Sequence, residues 1–401
     1  MTETSSPRGR ISLIKAVAEG RLDLLSAGFV DQMSECLDCR ACEAVCPSGV
    51  HYGRLVETAR AQIHDATRRT APVRERLVRR LALDLLFSHP RAMRAAAVLL
   101  RFYQRSGLQA LARRSGLLRA LHLDRTEALA PTISERFFVA RGQRYEVRGA
   151  RHTVMLHAGC IMHVAFAQVN DATTRVLARA GCTVVVPAAQ GCCGAIAIHA
   201  GAIDQGREMA KRNIAAFETS GAQYYIVNAA GCGSTLKEYG ELLEGDPDWA
   251  QRAASFASHV RDVTEFLDAV GIGSELGPLD EIVAYQDPCH LAHAQRLTDP
   301  PRRLLQRIPG LTLREMNESS VCCGSAGIYN VTEPEMAERL QRRKVRNVLA
   351  TGANTVATAN PGCALQLQAG LRAAGSKMRV RHVVELLDES YSRYSEATMR
   401  P

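Results

Sequence analysis

The residues of this 401-residue chain that are best suited to chemistry are its 13 cysteines. Four of them, Cys36, Cys39, Cys42 and Cys46, are spaced C-x2-C-x2-C-x3-C in the stretch CLDCRACEAVCP and are followed by proline. This spacing is known to hold iron–sulfur clusters, with the fourth cysteine of one run binding the cluster of a second run. Structural zinc is the alternative, but zinc sites usually divide their cysteines into two pairs with a longer spacer. The run therefore predicts a [4Fe-4S] site.

Eight further cysteines form two sets of four that repeat along the chain. The sets are Cys160, Cys192, Cys193 and Cys232, then Cys289, Cys322, Cys323 and Cys363. Corresponding members lie 129 to 131 positions apart, and their surroundings repeat too, as QGCCGAIAI does in SVCCGSAGI. The chain is thus internally duplicated, and one explanation should serve both sets. Cys182 falls opposite Leu311 in the duplicate, so we interpret it as a buried core residue.

The adjacent cysteines of each set require a loop, because neighbouring residues cannot share one face of a regular helix or strand. Gly194 and Gly324 follow these pairs directly. Glycine permits positive φ and a close approach of backbone N–H groups to sulfur. We expect each set to hold a metal cluster. A strained redox disulfide and a zinc ion are the alternatives.

Segments typical of strands and helices alternate through the duplicated part, which predicts an α/β fold with parallel sheets. The strand-like segments are HTVMLHAGC, CTVVVP, AQYYIVNAAGC, EIVAYQDPC, LTLREM and NTVATANPGC. The single cysteines follow the carboxyl ends of these strands, where open α/β sheets bind ligands. We predict two duplicated domains at 151–270 and 280–390. A mainly helical cluster domain at 1–66 and an arginine-rich helical spacer at 67–150 precede them.

The spacer is strongly basic, with 13 arginines between Arg68 and Arg119 against only Glu75 and Asp84. Arginine alternates with leucine and alanine at the spacing of amphipathic helices. A solvated helical face is the simplest interpretation, and a docking surface for an acidic partner or a membrane rim is the alternative. Nucleic acid is not expected, because no recognition motif accompanies the charge. With no signal peptide and no long apolar run, we expect a cytoplasmic setting.

No catalytic residue is predicted. The sequence contains no GxGxxG opening a βαβ unit, and hence no nucleotide or flavin site, and no Ser/His/Asp or metal-hydrolase arrangement. Several histidines accompany the cysteines: His157, His163, His199, His290 and His293. We expect capping or core roles for them, with hydrogen bonding to sulfur or metal ligation as the alternative.

With these motifs the chain resembles the iron–sulfur subunits of glycolate oxidase, also called glycolate dehydrogenase, over nearly its whole length. The resembling segments are PRGRISLIKAVAEG, CLDCRACEAVCPSGVHYGRLVETAR, GCCGAIAIHAG, NAAGCGSTLKEYGELL and CCGSAGIYNVTEPEMAERLQRRK. The resemblance implies a ferredoxin-type domain followed by two cysteine-rich CCG domains, with Cys36, Cys39 and Cys42 as ligands of one [4Fe-4S] cluster. It also implies that flavin subunits oxidise glycolate to glyoxylate, while this chain relays the electrons to a respiratory acceptor.

The chain departs from the family pattern at two places. Family members carry an earlier run just upstream of PRGRI, a segment that begins here at Pro7. We expect a start assigned too late, so that Cys46 closes a cluster whose other ligands lie upstream. The alternative is that Cys46 binds the cluster of its own run or stays free. The CCG domains of heterodisulfide reductases end in CxxC, whereas Ala229 and Asn360 stand here three positions before the last cysteines.

Three other functions are compatible with some of these motifs. Iron–sulfur subunits of lactate and anaerobic glycerol-3-phosphate dehydrogenases are similar, although PRGRI and PSGVHYGRLVE favour glycolate. A CCG thiol–disulfide reductase is a different class, and the incomplete CxxC argues against it. A zinc-stabilised scaffold without redox function is a third.

Overall fold

The computed structural model describes residues 2–68, 70, 76, 77 and 80–398, without the side chains of 80, 82 and 397. The N-terminal part is helical, as predicted. Its elements are a 3-10 turn Glu3–Ser5 and helices Pro7–Ala18, Ala27–Ser34, Ala41–Ala44 and Tyr52–Thr67. Pro7 suits the first helical position, and the Ser6 hydroxyl caps that helix by accepting from the Gly9 N–H at 3.0 Å.

Pro47 and the segment SGVHYGRLVETAR predict a helix that starts directly after the proline, whereas the helix begins at Tyr52. Gly49 adopts a φ of 63°, a left-handed conformation that interrupts a right-handed helix. The chain therefore makes a further turn at Gly49 before the helix begins.

The predicted helical spacer at 67–150 is mainly helical only up to Ala128, and near its end Gln143–Tyr145 form a strand instead. Its helical elements are a π-helix Arg80–Phe87 and helices Pro90–Arg105, Leu108–Arg114, Leu117–Ala120 and Asp124–Ala128. The predicted amphipathic pattern at 69, 71–75, 78 and 79 lies outside the described residues. On the helix Pro90–Arg105, Met93 and Ala97 are buried while Leu99 and Phe102 are exposed. That helix therefore has a packed face and an apolar outer face.

The first half of the duplication forms a five-stranded sheet in the order β1-β3-β2-β4-β5. Its strands are β1 Gln143–Tyr145, β2 His152–Leu156, β3 Cys182–Val186, β4 Tyr224–Val227 and β5 Val260–Asp262. Only β1 is antiparallel to its neighbour, and the other pairings are parallel, as predicted. The helices of this half are Met162–Ala165, Ala167–Arg179, Ala195–His199, Ile203–Glu218, Ala230–Lys237, Tyr239–Leu242, Ala250–His259 and Val263–Val270.

The second half repeats that arrangement in a parallel four-stranded sheet of order β7-β6-β8-β9. Its strands are β6 Ile282–Tyr285, β7 Thr312–Arg314, β8 Thr355–Thr358 and β9 Arg379–His382. Its helices are the π-helix His290–Ala294 and Asp299–Gln306, Tyr329–Thr332, Pro334–Ala350, Pro361–Ala373 and Val383–Thr398. The order matches β3-β2-β4-β5, so the duplication seen in the sequence is also a duplication of the fold.

The two halves pack against each other through backbone and side chains. The Ala230 N–H donates to the carbonyl oxygen of Ala359 at 3.0 Å, and Nε2 of His382 donates to that of Asn228 at 3.0 Å. The largest hydrophobic core includes residues of both halves, among them Cys182, which is fully buried as predicted. In the part of the chain that the structure describes, no helix has the length and apolar character needed to cross a membrane.

Candidate metal centres

The run of cysteines begins in a tight loop between the helices Ala27–Ser34 and Ala41–Ala44, which holds Cys36 and Cys39. Cys42 lies in the second of these helices and Cys46 follows it. Asp38 and Arg40 have φ values of 49° and 60°, in the left-handed region that residues other than glycine rarely adopt. This conformation turns the Asp38 N–H toward Sγ of Cys36, at 3.4 Å. The hydroxyl of Tyr52 donates to the same sulfur at 3.6 Å. The loop thus presents N–H and O–H donors to sulfur, as a cluster-binding loop needs.

Three thiols of the run lie close enough to affect each other's ionisation. Burial, together with the charges of Cys289 and Cys36, raises the pKa of Cys39 to about 12. Burial likewise raises the pKa of Cys42 to about 11, with contributions from Cys39 and Cys36. The structure thus brings Cys36, Cys39 and Cys42 together, and their shared cluster stays a prediction.

Cys46 has a different environment. Its side chain is partly exposed. Hydrogen bonds from the backbone N–H groups of Val50 and Ser48 lower its pKa. Backbone N–H donors stabilise the thiolate form of Cys46, which is the form that binds metals. The assignment of Cys46 to a cluster stays a prediction.

The first set of four cysteines converges in the first half. Cys160 follows β2, Cys232 follows β4, and the Cys192–Cys193 pair lies on the loop before the helix Ala195–His199. Cys192 accepts hydrogen bonds from Cys160 and Cys193, which lower its pKa well below the usual value. The contact with Cys193 is also the main cause that lowers the pKa of Cys232, to about 6. All four sulfurs are therefore linked in one chain of contacts.

His157 completes the first site. One of its ring nitrogens lies within 4.8 Å of Sγ of Cys193 and of Cys232. Its Nδ1 is hydrogen-bonded to the Tyr225 hydroxyl at 2.7 Å, while its buried Nε2 has no hydrogen-bond partner among the described residues. His157 therefore lies beside the sulfurs, and a hydrogen bond to sulfur or metal ligation by this histidine stays a prediction.

The second set converges in the same way. Hydrogen bonds link Cys289 to Cys322, Cys322 to Cys323 and Cys323 to Cys363. The hydrogen bond to Cys322 and burial raise the pKa of Cys289 well above its usual value. Asn360, at the position of the missing CxxC cysteine, donates from Nδ2 to Sγ of Cys363 at 3.5 Å. In place of the fifth thiol of the CxxC motif, this chain thus has a hydrogen-bond donor to sulfur.

The glycine after each cysteine pair has the conformation that the sequence predicts. Gly194 and Gly324 have φ values of 84° and 88°. Their N–H groups donate to Sγ of Cys192 and Cys322 at 3.5 and 3.4 Å. A Cβ at Gly324 would lie 2.6 Å from the carbonyl oxygen of Ala337. Any residue other than glycine would therefore displace the helix Pro334–Ala350, to which Ala337 belongs.

The run packs directly against the second site. Nε2 of His290, the residue after Cys289, donates to the carbonyl oxygen of Asp38 at 2.9 Å. The Tyr329 hydroxyl donates to the carbonyl oxygen of Glu35 at 3.1 Å. The charge of Cys39 also acts on Cys322. Two thiol sites are therefore neighbours within one packed structure.

A buried ionic network joins the run to the first half. Arg40 is 6% exposed and contacts Asp38 at 3.0 Å, Glu57 at 3.1 Å and Glu238 at 3.6 Å. His199 contacts Asp38 at 3.3 Å and Glu57 at 3.0 Å. Burial lowers the pKa of His199, but the hydrogen bonds to the two carboxylates outweigh it and raise the pKa to about 10. His199 is therefore a cation in an ionic network.

Cluster chemistry fits the composition of these sites. Each site gathers buried thiols, the ligands that iron–sulfur clusters use. Without a metal the buried thiols oppose each other's ionisation, which a bound cation relieves. The carboxylates of Asp38 and Glu57 near the run are paired with Arg40 and His199, and oxygen-ligand metals are therefore a poorer match than clusters held by thiols. The cysteine sets, rather than a catalytic triad or nucleotide loop, are the chemical centres.

Family models match most of the chain. The model described as "Cysteine-rich domain", CCG, matches residues 154–237 and 283–368. The model described as "Glycolate oxidase iron-sulfur subunit, linker region" matches residues 74–130. The chain is 42% identical to "Probable glycolate oxidase iron-sulfur subunit" of Bacillus subtilis over 97% of its own length and 88% of that protein. The chain belongs to the family of glycolate oxidase iron-sulfur subunits.

Two further relatives differ in how much of the chain they match. The chain is 32% identical to "Glycolate oxidase iron-sulfur subunit" of Escherichia coli, over 97% of this chain and 88% of that one. It is 31% identical to "Lactate utilization protein A" of Oceanobacillus iheyensis, over 59% of this chain and 96% of that one. The lactate-related protein thus matches little more than half of the present chain.

The sequence did not reveal the ionic network. Its members come from the cysteine run, the helix Tyr52–Thr67 and the first half, and no local spacing relates them. One signal was present: the charged pair Asp38 and Arg40 lies inside a loop of closely spaced cysteines. Residues in so tight a loop have little access to water, so buried partners could have been sought.

Proposed function

We propose that this chain is the electron-transfer subunit of a flavin-dependent glycolate dehydrogenase, relaying electrons from flavin subunits to a respiratory acceptor. The observation that carries the proposal is the gathering of thiols into three sites, with the run lying against the second. Two sites in contact provide the short separation that electron transfer requires. The family membership of the chain supports glycolate as the substrate of the complex.

We further propose the ligand sets and the domain division. Iron–sulfur clusters supply one-electron transfer when bound. Cys36, Cys39 and Cys42 hold a [4Fe-4S] cluster in a ferredoxin-type domain at 1–66, with Cys46 serving a further cluster. Each set of four cysteines holds one cluster, the first set in the CCG domain at 151–270 and the second set in the CCG domain at 280–390. The spacer at 67–150 joins the ferredoxin-type domain to the first CCG domain. This chain binds the clusters, excludes water from them and supplies hydrogen bonds to their ligands.

The role of the chain in the complex follows from what its sites lack. Among the described residues, no acid–base or nucleotide-binding arrangement accompanies the thiols. Substrate oxidation therefore belongs to the flavin subunits, and this chain needs surfaces for those subunits and for the acceptor.

A membrane contact at the cytoplasmic face is the second part of the proposal. The spacer exposes a set of large apolar side chains, which we name the spacer surface: Val98, Leu99, Phe102, Leu108, Leu111, Leu117, Leu121 and Leu123. Between 90 and 129, eight arginines accompany it against Asp124 and Glu127. Exposed apolar groups among cations suit an anionic lipid surface. The spacer surface thus supports peripheral attachment close to a membrane-borne acceptor.

Lactate is the alternative substrate of the complex. The similarity to "Lactate utilization protein A" favours it, but that similarity covers 59% of the chain. The glycolate oxidase linker model at 74–130 supports glycolate instead.

The proposal is tested in the complete complex with a Cys39→Ser variant and Cys182→Ala as its matched control. Glycolate should still reduce the flavin in both. Electron passage onward to a quinone should fall at least tenfold in C39S and stay unchanged in C182A, because Cys182 lies in the core. A C39S complex that reduces quinone at the wild-type rate would contradict the proposal.

A further inference from the structure

Lys344 is a buried lysine behind the second set of cysteines. It lies on the helix Pro334–Ala350 and is 2% exposed. Its Nζ donates to the carbonyl oxygens of Glu318 at 2.6 Å and Ser319 at 3.0 Å. These carbonyls belong to the loop that leads into Cys322. The lysine therefore holds the loop that presents the cysteine pair.

The ammonium group also acts electrostatically on the second site. Burial lowers the pKa of Lys344, while the negative charges of Cys323, Cys363 and Cys322 raise it. A group that responds to three thiolates acts on them in return. Burial strengthens this effect, because the interaction between charges grows as water is excluded.

The first half has a neutral residue at the corresponding position. Asn213 precedes Lys344 by 131 positions, the separation that relates Cys232 to Cys363. Its Nδ2 donates to the carbonyl oxygen of Cys192 at 2.9 Å, and its Oδ1 accepts from the Gly191 N–H at 2.9 Å. Asn213 therefore holds the first cysteine loop, as Lys344 holds the second. Only the second residue carries a charge.

We propose that Lys344 is a positioning residue that raises the reduction potential of the second cysteine site above that of the first. This inference rests on the proposed function, because it requires a cluster at each site. Reduction adds negative charge, and a buried cation stabilises the reduced form more than the oxidised one. The duplicated sites are then unequal in electron transfer.

The inequality has a consequence for the path. The second site lies against the run, through the hydrogen bond between His290 and Asp38. Electrons in the chain collect at the site of highest potential. Lys344 therefore directs them to the pair of neighbouring sites rather than to the first site.

The test is a potentiometric titration of the anaerobically purified full chain, followed by EPR. Lys344→Gln keeps an N–H donor and removes the charge, and Lys344→Arg keeps the charge. At the wild-type midpoint, the reduced-to-oxidised ratio of the second-site signal should fall at least tenfold in K344Q, which is about 59 mV for a one-electron couple. K344R should stay within threefold, and the first-site signal should not shift in either variant.

Signals are assigned by Cys193→Ser and Cys323→Ser, which remove ligands of one site each. In the wild-type chain, the midpoint that C323S removes should be higher than the midpoint that C193S removes, while the midpoint of the run remains in both variants. Equal first-site and second-site midpoints in the wild-type chain, or an unshifted second-site midpoint in K344Q with full iron content, would overturn the role of Lys344. If K344Q loses iron, the order of the two wild-type midpoints alone decides. Absence of iron and acid-labile sulfide at the second site of the wild-type chain would instead overturn the proposed function there, and the Lys344 role with it.

Discussion

His290 donates its Nε2–H to the carbonyl oxygen of Asp38 at 2.9 Å and so joins the second cysteine site to the run. His290 follows Cys289, and its counterpart after Cys160 in the first half is Ile161, which has no such donor. The run therefore meets the two halves of the duplication differently. It contacts the second half next to Cys289, through the hydrogen bond of His290. It contacts the first half through ion pairs, namely Arg40 with Glu238 and Asp38 with His199.

Replacing His290 should loosen the junction between the run and the second site. In His290→Ala, the carbonyl oxygen of Asp38 loses its buried donor, which costs about 1–3 kcal/mol of unfolding free energy. Denaturant unfolding of the cluster-loaded chain measures this loss. His51→Ala is the control, because the His51 side chain is 71% exposed, and it should leave the midpoint unchanged. Equal unfolding midpoints of the two variants would show that the His290 hydrogen bond does not stabilise this junction.

Arg40 should be far more important for stability than an arginine in a surface ion pair. Arg40→Met removes the guanidinium that pairs with Asp38, Glu57 and Glu238. Only Asp38 and Glu57 then keep a cation, His199, and we expect a cost of about 3–5 kcal/mol. Gly53→Ala should act through the same residue, because a Cβ there would lie 1.7 Å from the guanidinium carbon. Thermal unfolding checks both variants.

Arg54→Met is the matched control for Arg40→Met. Arg54 pairs with Glu244, and both side chains are more than half exposed. Exposed pairs contribute less than about 1 kcal/mol. A loss of stability in R54M as large as in R40M would mean that the burial of the Arg40 network has no special effect.

The ion pairs of His199 should make stability depend on pH. Its pKa is raised to about 10 in the folded chain, from about 6.5 when unfolded. The contribution to stability is therefore complete below about pH 6.5 and is lost as pH rises through about 10. The difference in unfolding free energy between the wild-type chain and His199→Gln should shrink by a few kcal/mol from pH 6.5 to 10, at about 1.4 kcal/mol per pKa unit. A difference that stays constant over this range would show that His199 is not a cation in the folded chain.

The spacer surface should bind anionic lipid. Leu99 and Phe102 are 70% and 63% exposed on the helix Pro90–Arg105. The double variant L99E/F102E should reduce co-sedimentation with phosphatidylglycerol vesicles at least tenfold, because charged side chains resist transfer to the lipid interface. Val331→Glu is the control, since Val331 is 53% exposed in the second half. Wild-type protein that remains in solution at low salt would exclude the membrane contact.

The sequence predicts the α/β part of the fold well, because the relevant signals are local. Residue types and spacing predict the apolar run at 182–186, and they also predict that β2, β4, β6 and β8 end shortly before single cysteines, which follow four or five residues later. Because the halves are duplicated, each of these conclusions applies to both. The short strands β1, β5 and β9 were not predicted, because such segments carry too little periodicity.

The contacts around the cysteines were harder to foresee, because they join distant segments. His290 and Asp38 lie 252 positions apart and meet only after both halves have packed. Lys344 occurs in QRRKVRN, where the pattern of a helix does not distinguish it from its exposed basic neighbours. Its role becomes visible only from its burial and from comparison with Asn213.

Iron and acid-labile sulfide per chain, measured with EPR on anaerobically purified protein, test the central claim most directly. If the run and both cysteine sets hold [4Fe-4S] clusters, about twelve irons and equal sulfide are expected, with reducible signals. Cys323→Ser should remove about four of the irons, and Cys182→Ala none. Zinc without sulfide, or iron content unaffected by C323S, would contradict the account.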